Sequence, residues 1–549
     1  MTETASEPIE GGPPPRRSVY DVIFSSAAYQ ASLKSRVPKR LALTPVDVFP
    51  GNADLADTIF QGEYDFAGHE VHLEDQEPWL VNNIPIAWHN ELHEFGWIRH
   101  FAANGSQAAA RHVRTLILSW INHFDIYRPY VWDENVLSRR LINWFCQSGF
   151  LLEEGESDFN YIFLKSLRRQ YVHLGRLAKR GSRELDRDPL WQALLYGSLC
   201  FSDMKKTTVK SVAGLEAEIN RTVMADGCHL SRNPERHLTL LGDLVGVRNT
   251  LMAANEMVPV AINNAIDRLA PAVRFFQHGD GQLALFNGGL KMEEGYCDTL
   301  LSLSDATGRA PHRFPKGGFE RLKAGRALLI LDSGEGGREK AEISHSGLLG
   351  FEFSYGRERL IVNCGGVPDR KSTWGKALAA TAAHSTLCFE NINAAYPEKA
   401  TTNGENIAVR NEEDGNIWLD LESQGYLKSV GVTHRRRLYL DATGRALRGE
   451  DQIIPSRIPA ADQSVFTLRF HLHPDLSISR SAGGKNILIR TMGGVGWKFL
   501  TGAARLDLDE SVFCGVPGER RHNQQIVITG HLPNQDPVLI KWALTRLSD

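Results

Sequence analysis

Hydrophobic side chains between residues 105 and 277 recur at the three- and four-residue spacing of amphipathic helices. Short polar breaks separate these segments, which favours antiparallel packing of neighbouring helices. The predicted helices cover residues 105–124, 134–152, 157–180, 189–204, 212–226, 234–257 and 260–277. The pattern therefore predicts a helical domain over residues 40–280, with an irregular beginning at residues 40–95.

The spacing changes near Gly279, where short runs of alternating hydrophobic and polar residues begin. Gly, Asn, Asp and Pro separate about a dozen of these runs, with no helical pattern between them. That order predicts an antiparallel β-sandwich over residues 290–549, so the expected fold class is α+β and multidomain. Residues 1–17, rich in Pro, Gly and acidic side chains, are predicted to be a disordered tail.

Charge and cysteine content narrow the classes of function. The 549-residue chain has 62 Lys and Arg against 65 Asp and Glu, so its bulk charge does not point to a nucleic-acid partner. The seven cysteines are scattered and odd in number, which predicts reduced thiols. No run of about 18 apolar residues predicts a membrane span, and the first residues lack a signal-peptide pattern, so we expect a cytoplasmic protein.

Aromatic and basic residues collect in two segments of the helical region. Residues 78–101 are rich in Trp, His and Asn, a composition typical of an aromatic core plug or of a platform on which sugar rings stack. Residues 127–145 place two adjacent arginines between tryptophans, and arginine forks bind carboxylates and sulfates. The candidate glycan-binding residues of these segments are Trp88, Trp132, Arg139, Arg140, Asn143 and Trp144.

A polar loop at residues 225–244 opens the sixth predicted helix. Asn233 and Pro234 have the residue types of a helix cap and a first helical turn. Capping does not require the two histidines and two arginines that accompany them. The loop therefore supplies five candidate functional residues, namely His229, Arg232, Asn233, Arg236 and His237.

A second group of polar residues lies in the predicted sandwich. His345 and Asn363 fall on two predicted strands, and His384 opens a third. A single histidine on a strand is more often a hydrogen-bonded core residue than a ligand. Together the three residues predict either a metal site or a polar cluster that lines a cleft.

Taken in order, these segments resemble the heparinase II/III family of polysaccharide lyases. The similarity extends from about residue 60 to the C-terminus, and its motifs are WHNELHEFGWIR, SRRLINW, DGCHLSRNPERH, SHSGLLGFEFS with RLIVNCG, and AHSTL. It implies an incomplete α/α toroid followed by an antiparallel β-sandwich, with the active cleft between them. A periplasmic location is the alternative that the resemblance adds.

The resemblance implies β-elimination across a uronic acid glycosidic bond in an anionic oligo- or polysaccharide. A base removes the C5 proton, a neutralising group stabilises the enolate charge at the carboxylate, and an acid protonates the leaving oxygen. Asn233 and His229 match the carboxylate-binding loop, and Arg232 would assist them. The candidate catalytic set implied in this way is His229, Asn233, His237, Tyr296 and His345.

Departures from the family pattern leave other functions open. The loop HGDGQLALFNGG has Phe286 where the family has a catalytic tyrosine, so Tyr296 would have to substitute. Ile343 and Gly347 stand where the family often has a histidine and an acidic residue. The alternatives are a non-catalytic glycan-binding protein and a hydrolase, which needs two carboxylates across its cleft. Carboxylates for a hydrolase are available at Asp280, Glu293, Glu294 and Asp298.

The resemblance also implies a structural zinc held by His, Asp and His. His345, Asn363 and His384 match that order, but Asn363 offers a neutral amide, which is a poor zinc ligand. A hydrogen-bonded polar cluster is therefore the alternative to a zinc site.

Overall fold

The computed structural model describes residues 18–74, 76–152, 157–181, 186–334, 345–394, 408–460, 463–481, 486–503 and 505–547. The predicted tail at residues 1–17 and the departure at Ile343 lie outside these ranges. Within them, no helix combines the length and the hydrophobicity needed to cross a membrane. All seven cysteines are free thiols, as their spacing predicts.

Helices form most of the first half of the chain. The helices are α1 Val19–Ser25, α2 Ala27–Ser32, α3 Ala53–Phe60, α4 Ile86–Glu94, α5 Ile98–Asn104, α6 Gln107–Phe124, α7 Glu134–Cys146, α8 Ser148–Leu151, α9 Ser157–Arg180, α10 Asp188–Cys200, α11 Thr208–Thr222, α12 Pro234–Ala253, α13 Val260–Phe276, α14 Tyr296–Leu303 and α15 Thr373–Ala379. Short 3₁₀ helices lie at Pro78–Leu80, Ser202–Thr207 and Thr381–Ala383. The predicted helices are confirmed as α6 to α13, with the predicted segment 134–152 divided into α7 and α8.

Strands form most of the second half. The strands are β1 Glu63–Phe66, β2 His69–His72, β3 Arg313–Phe314, β4 Phe319–Ala324, β5 Ala327–Asp332, β6 Phe351–Tyr355, β7 Glu358–Ile361, β8 Leu387–Phe389, β9 Val409–Glu413, β10 Asn416–Tyr426, β11 Val432–Leu440, β12 Ala446–Pro455, β13 Val465–His471, β14 Ser477–Arg480, β15 Asn486–Arg490, β16 Gly496–Thr501, β17 Arg505–Phe513, β18 Arg521–His531 and β19 Val538–Arg546. The predicted succession of helices and then antiparallel strands is confirmed, although the hydrophobic pattern missed the strands β3, β4, β12, β14 and β17.

Contacts divide the chain into two compact units. The first unit extends to Thr222 and includes Leu240–Ile266, whereas the second contains Val223–Thr239 and everything from Asp267 onward. The first unit holds most of the helices and the β1–β2 hairpin, which the sequence pattern did not predict. The polar loop before α12 thus belongs to the same unit as the sheets, although it lies among helices in sequence.

The second unit is built on three antiparallel sheets. Their strand orders are β14-β15-β16-β19-β12-β11-β10-β9, β17-β18-β13-β8 and β3-β4-β5-β6-β7. One hydrophobic core contains side chains from all three sheets, including Phe353, Phe470 and Trp542. Alternating burial along β10, β11 and β12 places the hydrophobic face of the large sheet on this core.

A buried ionic cluster stabilises the large sheet from within. Asp451 accepts hydrogen bonds from His434 Nε2 at 2.7 Å, Arg436 Nε at 2.6 Å and Trp542 Nε1 at 2.8 Å. Burial alone would raise the pKa of Asp451, but the charge of Arg436 and the bond from His434 outweigh it and hold that pKa below its ordinary value. The carboxylate therefore stays ionised, and all of its donors come from its own sheet.

Candidate active site

The loop before α12 is closed by hydrogen bonds between its own residues. Asn233 Oδ1 accepts from the backbone N–H groups of Glu235 at 2.8 Å and Arg236 at 3.3 Å, which is the geometry of a helix cap. His237 Nε2 accepts from the His229 N–H at 2.8 Å, and its Nδ1 lies 2.7 Å from the Asn233 carbonyl. Burial lowers the pKa of His237 to about 3, so its neutral ring donates through Nδ1. Both ring nitrogens of His237 therefore hold the loop together.

His229 also shapes this loop. It is buried, and its Nδ1 accepts the Ser231 N–H at 3.1 Å and lies 2.8 Å from the Ser231 hydroxyl. His229, which the family resemblance assigns to carboxylate binding, thus uses one ring nitrogen to hold the turn that precedes Asn233.

Arg232 holds the loop against the β4–β5 sheet. Its guanidinium donates to the carbonyls of Gly317 at 2.6 Å and Gly318 at 2.8 Å, and it forms an ion pair with Asp332. Only 2% of the residue is exposed, and the guanidinium also stacks on the Phe319 ring. These contacts correct the prediction that Arg232 reads the charge of a glycan, because the side chain is committed to carbonyls and a buried carboxylate.

Asn287 joins the two candidate residues that lie far apart in sequence. Asn233 Nδ2 donates to the Asn287 carbonyl at 3.2 Å, and Asn287 Oδ1 accepts the His345 N–H at 3.3 Å. A further bond, from Asn287 Nδ2 to the Arg232 carbonyl at 3.0 Å, fixes the amide. Asn233 and His345 are therefore held on either side of the Asn287 backbone, as part of one polar cluster.

The side chains of His345 and Arg370 converge on the next residue, Gly288. A Cβ atom at Gly288 would lie 3.2 Å from His345 Nε2 and 3.6 Å from the guanidinium carbon of Arg370. Asn287 and Gly288 both have a positive φ, a conformation that Asn and Gly adopt most readily. The turn thus brings the backbone into close contact with an imidazole and a guanidinium.

Glu235 supplies a carboxyl group to the same place. Its Oε2 accepts the Leu290 N–H at 3.2 Å, two residues beyond Gly288. Burial raises the pKa of Glu235, although that bond and the charges of Arg370 and Arg236 oppose the shift. We name this cluster of Asn233, Glu235, Asn287, His345 and Arg370 the Gly288 site; all of it lies in the second unit.

Sequence reasoning missed Glu235, Asn287 and Arg370. Glu235 stands between two residues that were singled out, and Asn287 begins an Asn-Gly pair, which is a strong turn signal. Arg370 follows the Gly-rich turn after β7 and has no motif of its own.

Of the remaining predicted residues of this unit, Arg236 is partly exposed in the first turn of α12 and Tyr296 is the partly buried first residue of α14.

The tryptophans predicted to stack on sugars are core residues of the first unit. Their exposures are 0% for Trp88, 1% for Trp132 and 0% for Trp144. Trp88 Nε1 donates to the Tyr64 carbonyl and Trp132 Nε1 to the Phe124 carbonyl. None of these rings has an exposed face on which a sugar could stack. The three tryptophans therefore form part of the hydrophobic core, and the prediction that they bind sugar rings is wrong.

The arginines of α7 have partners within the first unit. Arg140 is fully buried and donates to Gln170 Oε1 at 2.7 Å and to the carbonyls of His93 and Val131, each at 3.0 Å. Arg139 forms an ion pair with Asp243 at 2.9 Å, and Asn143 Nδ2 donates to the Glu94 carbonyl at 2.8 Å. The prediction that Arg140 binds substrate is therefore corrected, because its guanidinium, like that of Arg232, is buried and hydrogen-bonded to other protein groups.

The three residues that match the family zinc site lie close together. They flank strands rather than lying within them: His345 precedes β6, Asn363 follows β7 and His384 precedes β8. His384 Nδ1 is 3.1 Å from Asn363 Oδ1, and the rings of His345 and His384 are 5.3 Å apart. Asn363 Nδ2 in turn donates to Glu352 Oε1 at 3.3 Å, and Glu352 also contacts His278.

This arrangement does not fit zinc well. The Asn363 oxygen already faces an imidazole nitrogen, and an amide carries no charge to balance the ion. Within the described ranges, no group of three His, Cys, Asp or Glu residues is placed to hold a metal. Burial lowers the pKa of His384 to about 4, so a neutral ring that donates through Nδ1 accounts for the contact with Asn363 without an ion, while Nε2 is buried and has no hydrogen-bond partner among the described residues.

Replacing Asn363 with Asp should create zinc affinity that the natural sequence lacks. The new carboxylate would lie between His384 and the Glu352 carboxylate. The negative charge of Glu352 would repel it unless a cation or a proton binds between them. We expect about one zinc per Asn363→Asp chain by elemental analysis, and a higher melting temperature with zinc than with chelator. A stoichiometric zinc in the wild-type protein, resistant to dialysis, would contradict this account.

Comparison with known proteins finds a family match within the second unit. The family described as "Heparinase II/III-like, C-terminal" matches residues 306–543, which include His345, Asn363, Arg370 and His384. Residues 306–543 therefore form a heparinase II/III-like C-terminal domain. The match covers the sheets of the second unit, and the candidate residues of the polar loop lie outside it.

Solved structures support the same fold. Heparinase III superposes with a TM-score of 0.70 at 13% identity, over 95% of this chain and 89% of that one. A mutant of the heparan sulfate lyase HepC from Pedobacter heparinus has a TM-score of 0.61 at 14% identity, over 95% and 88% of the two chains. This chain therefore has the predicted fold, a helical toroid region followed by an antiparallel sandwich.

A curated relative matches over nearly the whole length. FtsZ-localized protein C of Caulobacter vibrioides (strain NA1000 / CB15N) is 28% identical over 543 residues, which are 95% of this chain and 93% of the relative. The similarity thus extends across both units.

Proposed function

We propose that this protein is a polysaccharide lyase of the heparinase II/III type that cleaves a uronic-acid-containing anionic glycan at the Gly288 site. The observation that carries the proposal is the convergence of His345 Nε2 and the Arg370 guanidinium on Gly288, with the Glu235 carboxyl held at Leu290. Elimination beside a carboxylate requires a base, a group that neutralises the carboxylate and an acid, and an imidazole, a guanidinium and a protonated carboxyl group can fill these three roles.

Each group has a role in the proposed reaction. Arg370 binds the uronate carboxylate and stabilises the negative charge that builds on it as the C5–H bond breaks. His345 Nε2 accepts the C5 proton, and the electron pair forms the C4–C5 double bond. The C4–O bond then breaks, and Glu235, whose pKa is raised by burial, donates its proton to the leaving oxygen. Asn233 and Asn287 position the turn on which these groups meet.

A direct assay tests the proposal. Elimination creates an unsaturated uronide that absorbs in the ultraviolet, whereas hydrolysis and binding do not. The purified protein should raise this absorbance with at least one of heparan sulfate, hyaluronan, polygalacturonate and alginate. New reducing ends without the absorbance would favour the hydrolase alternative, and binding without either product would favour the non-catalytic one.

The carboxylates that a hydrolase would use are poorly placed for that reaction. Asp280 accepts two hydrogen bonds from Arg359, at 2.8 and 3.2 Å, and Asp298 accepts one from Gln277 at 2.7 Å. Glu294 is exposed and has a weak contact with Arg357 at 3.8 Å. These contacts favour the lyase over the hydrolase.

The curated relative favours a second role that is compatible with the first. Its printed name says that it localises with FtsZ, and its similarity spans both units of this chain. We propose that this chain associates with FtsZ as well. Sedimentation of FtsZ polymers should carry the purified protein into the pellet in a nucleotide-dependent manner, and recovery in the supernatant at all FtsZ concentrations would reject this role.

A further inference from the structure

Lys291 lies three residues beyond Gly288, and its ammonium group has no hydrogen-bond acceptor among the described residues. Its backbone N–H donates to the Gly515 carbonyl at 2.7 Å, and its Nζ lies 5.5 Å from the centre of the Phe513 ring. Among the described residues, no carboxylate or other acceptor is within hydrogen-bonding distance of Nζ. Burial and the charge of Arg359 lower the pKa of Lys291, and the Asp280 and Asp475 carboxylates oppose that shift without forming a hydrogen bond to Nζ.

His473 presents a buried donor on the same Phe513 ring. The residue is 6% exposed, and its ring packs edge-on against Phe513 at 5.2 Å. Its Nδ1 accepts the Asp475 N–H at 3.3 Å, while the Asp475 carboxylate, 3.4 Å from the same nitrogen, is held by Arg521. Burial lowers the pKa of His473 to about 4, so the neutral ring carries its proton on Nε2. That N–H has no hydrogen-bond acceptor among the described residues.

The nearby arginines already have carboxylate partners. Arg359 forms two hydrogen bonds to Asp280, and Arg521 donates to Asp475 at 2.6 Å. The charge of Lys291 contributes to lowering the pKa of His473, which places the two groups within electrostatic range. Lys291 and His473 are therefore neighbouring donors without acceptors among the described residues. Lys291 is partly exposed, whereas His473 Nε2 is buried, and a buried donor in that state is costly unless a ligand satisfies it.

The two donors lie close to the Gly288 site. Three residues of extended chain reach at most about 10 Å, which limits the distance from Gly288 to Lys291. The Gly366 N–H donates to the Cys514 carbonyl at 3.1 Å, and a Cβ on Gly366 would lie 2.7 Å from the Gly288 Cα. The segment from Phe513 to Gly515 thus runs beside Gly288 as well as beneath Lys291.

We propose that Lys291 and His473 form a subsite for a second oxyanion of the glycan, a sulfate or carboxylate on a sugar next to the one bound at the Gly288 site. An ammonium and an imidazole N–H that both lack acceptors match the oxygens of such a group. The inference rests on the proposed function, because it takes the occupant of the Gly288 site to be an acidic glycan.

Calorimetric binding of two probes tests the subsite without requiring turnover. The probes are a heparin oligosaccharide and the same oligosaccharide after desulfation and N-acetylation, which keeps only its carboxylates. Lys291→Met should weaken binding of the heparin oligosaccharide by about tenfold to a hundredfold, the range for a charge-assisted hydrogen bond. Lys291→Arg should retain most of the affinity, and Lys428→Met, at an exposed lysine after β10, should not change it.

The outcomes separate the subsite from the lyase proposal. Loss of affinity for the sulfated probe alone identifies a sulfate as the occupant, and equal loss for both probes identifies a carboxylate. Wild-type affinity of Lys291→Met for both probes overturns the subsite. If no glycan is cleaved but Lys291→Met still weakens binding, the lyase proposal fails and the subsite stands.

Discussion

Replacing His345 with Gln should lower kcat for glycan elimination by about 10²- to 10⁴-fold, the usual contribution of a general base. The glutamine keeps a polar side chain of similar reach at Gly288 but cannot accept the C5 proton. Its backbone N–H should still donate to Asn287, so the turn should survive. The measurement is the rate of appearance of the unsaturated uronide at saturating substrate, together with a melting curve for each variant.

A histidine outside the site provides the control. His531, exposed at the end of β18, should tolerate the change to Gln with unaltered kcat and melting temperature. Full activity of the His345→Gln protein would show that His345 is not the general base. A drop in melting temperature with unchanged kcat per folded molecule would assign it a packing role instead.

Replacing Arg232 with Met should lower the free energy of unfolding by about 3–5 kcal/mol, because it leaves the buried Asp332 carboxylate without its partner. Two backbone carbonyls, those of Gly317 and Gly318, also lose their donor. Urea unfolding at neutral pH, followed by circular dichroism, measures the change. The main effect of the substitution is therefore expected on stability, whereas the sequence pattern predicted an effect on glycan binding.

The same substitution at an exposed position separates the loss of the ion pair from a general effect of losing a charge. Arg309 is exposed in the loop after α14, and Arg309→Met should change the unfolding free energy by less than about 0.5 kcal/mol. If the Arg232→Met protein has wild-type stability but binds glycan much more weakly, Arg232 binds the substrate and the structural role proposed for it is wrong.

The long amphipathic segments could be predicted because their hydrophobic period repeats over several turns. The prediction was weaker where elements are short: α1 to α5 span nine residues or fewer, and the two strands of the β1–β2 hairpin have four residues each. Strands such as β17 escaped because both of their faces are partly exposed, so the alternation is faint. Periodicity needs both length and a clear contrast between faces.

The candidate site could be predicted only in part. The polar loop and His345 were found because unusual residue types cluster in sequence, and Asn287 joins them in the structure. Arg140 and Arg232 were assigned to substrate because a charged side chain is normally exposed, whereas these two are buried on backbone carbonyls. Burial of a charged group depends on partners that the local sequence does not reveal.

The sequence by itself determined the order of helices and strands, the free cysteines and the family resemblance, since each of these depends on local composition and spacing. Only the tertiary structure decided which polar residues share a site. Glu235, Gly288, His345 and Arg370 are separated by tens of residues and meet because the turn at Gly288 has a positive φ and the chain packs around it. Long-range contacts of this kind depend on how elements pack, and no hydrophobic period or short motif encodes them.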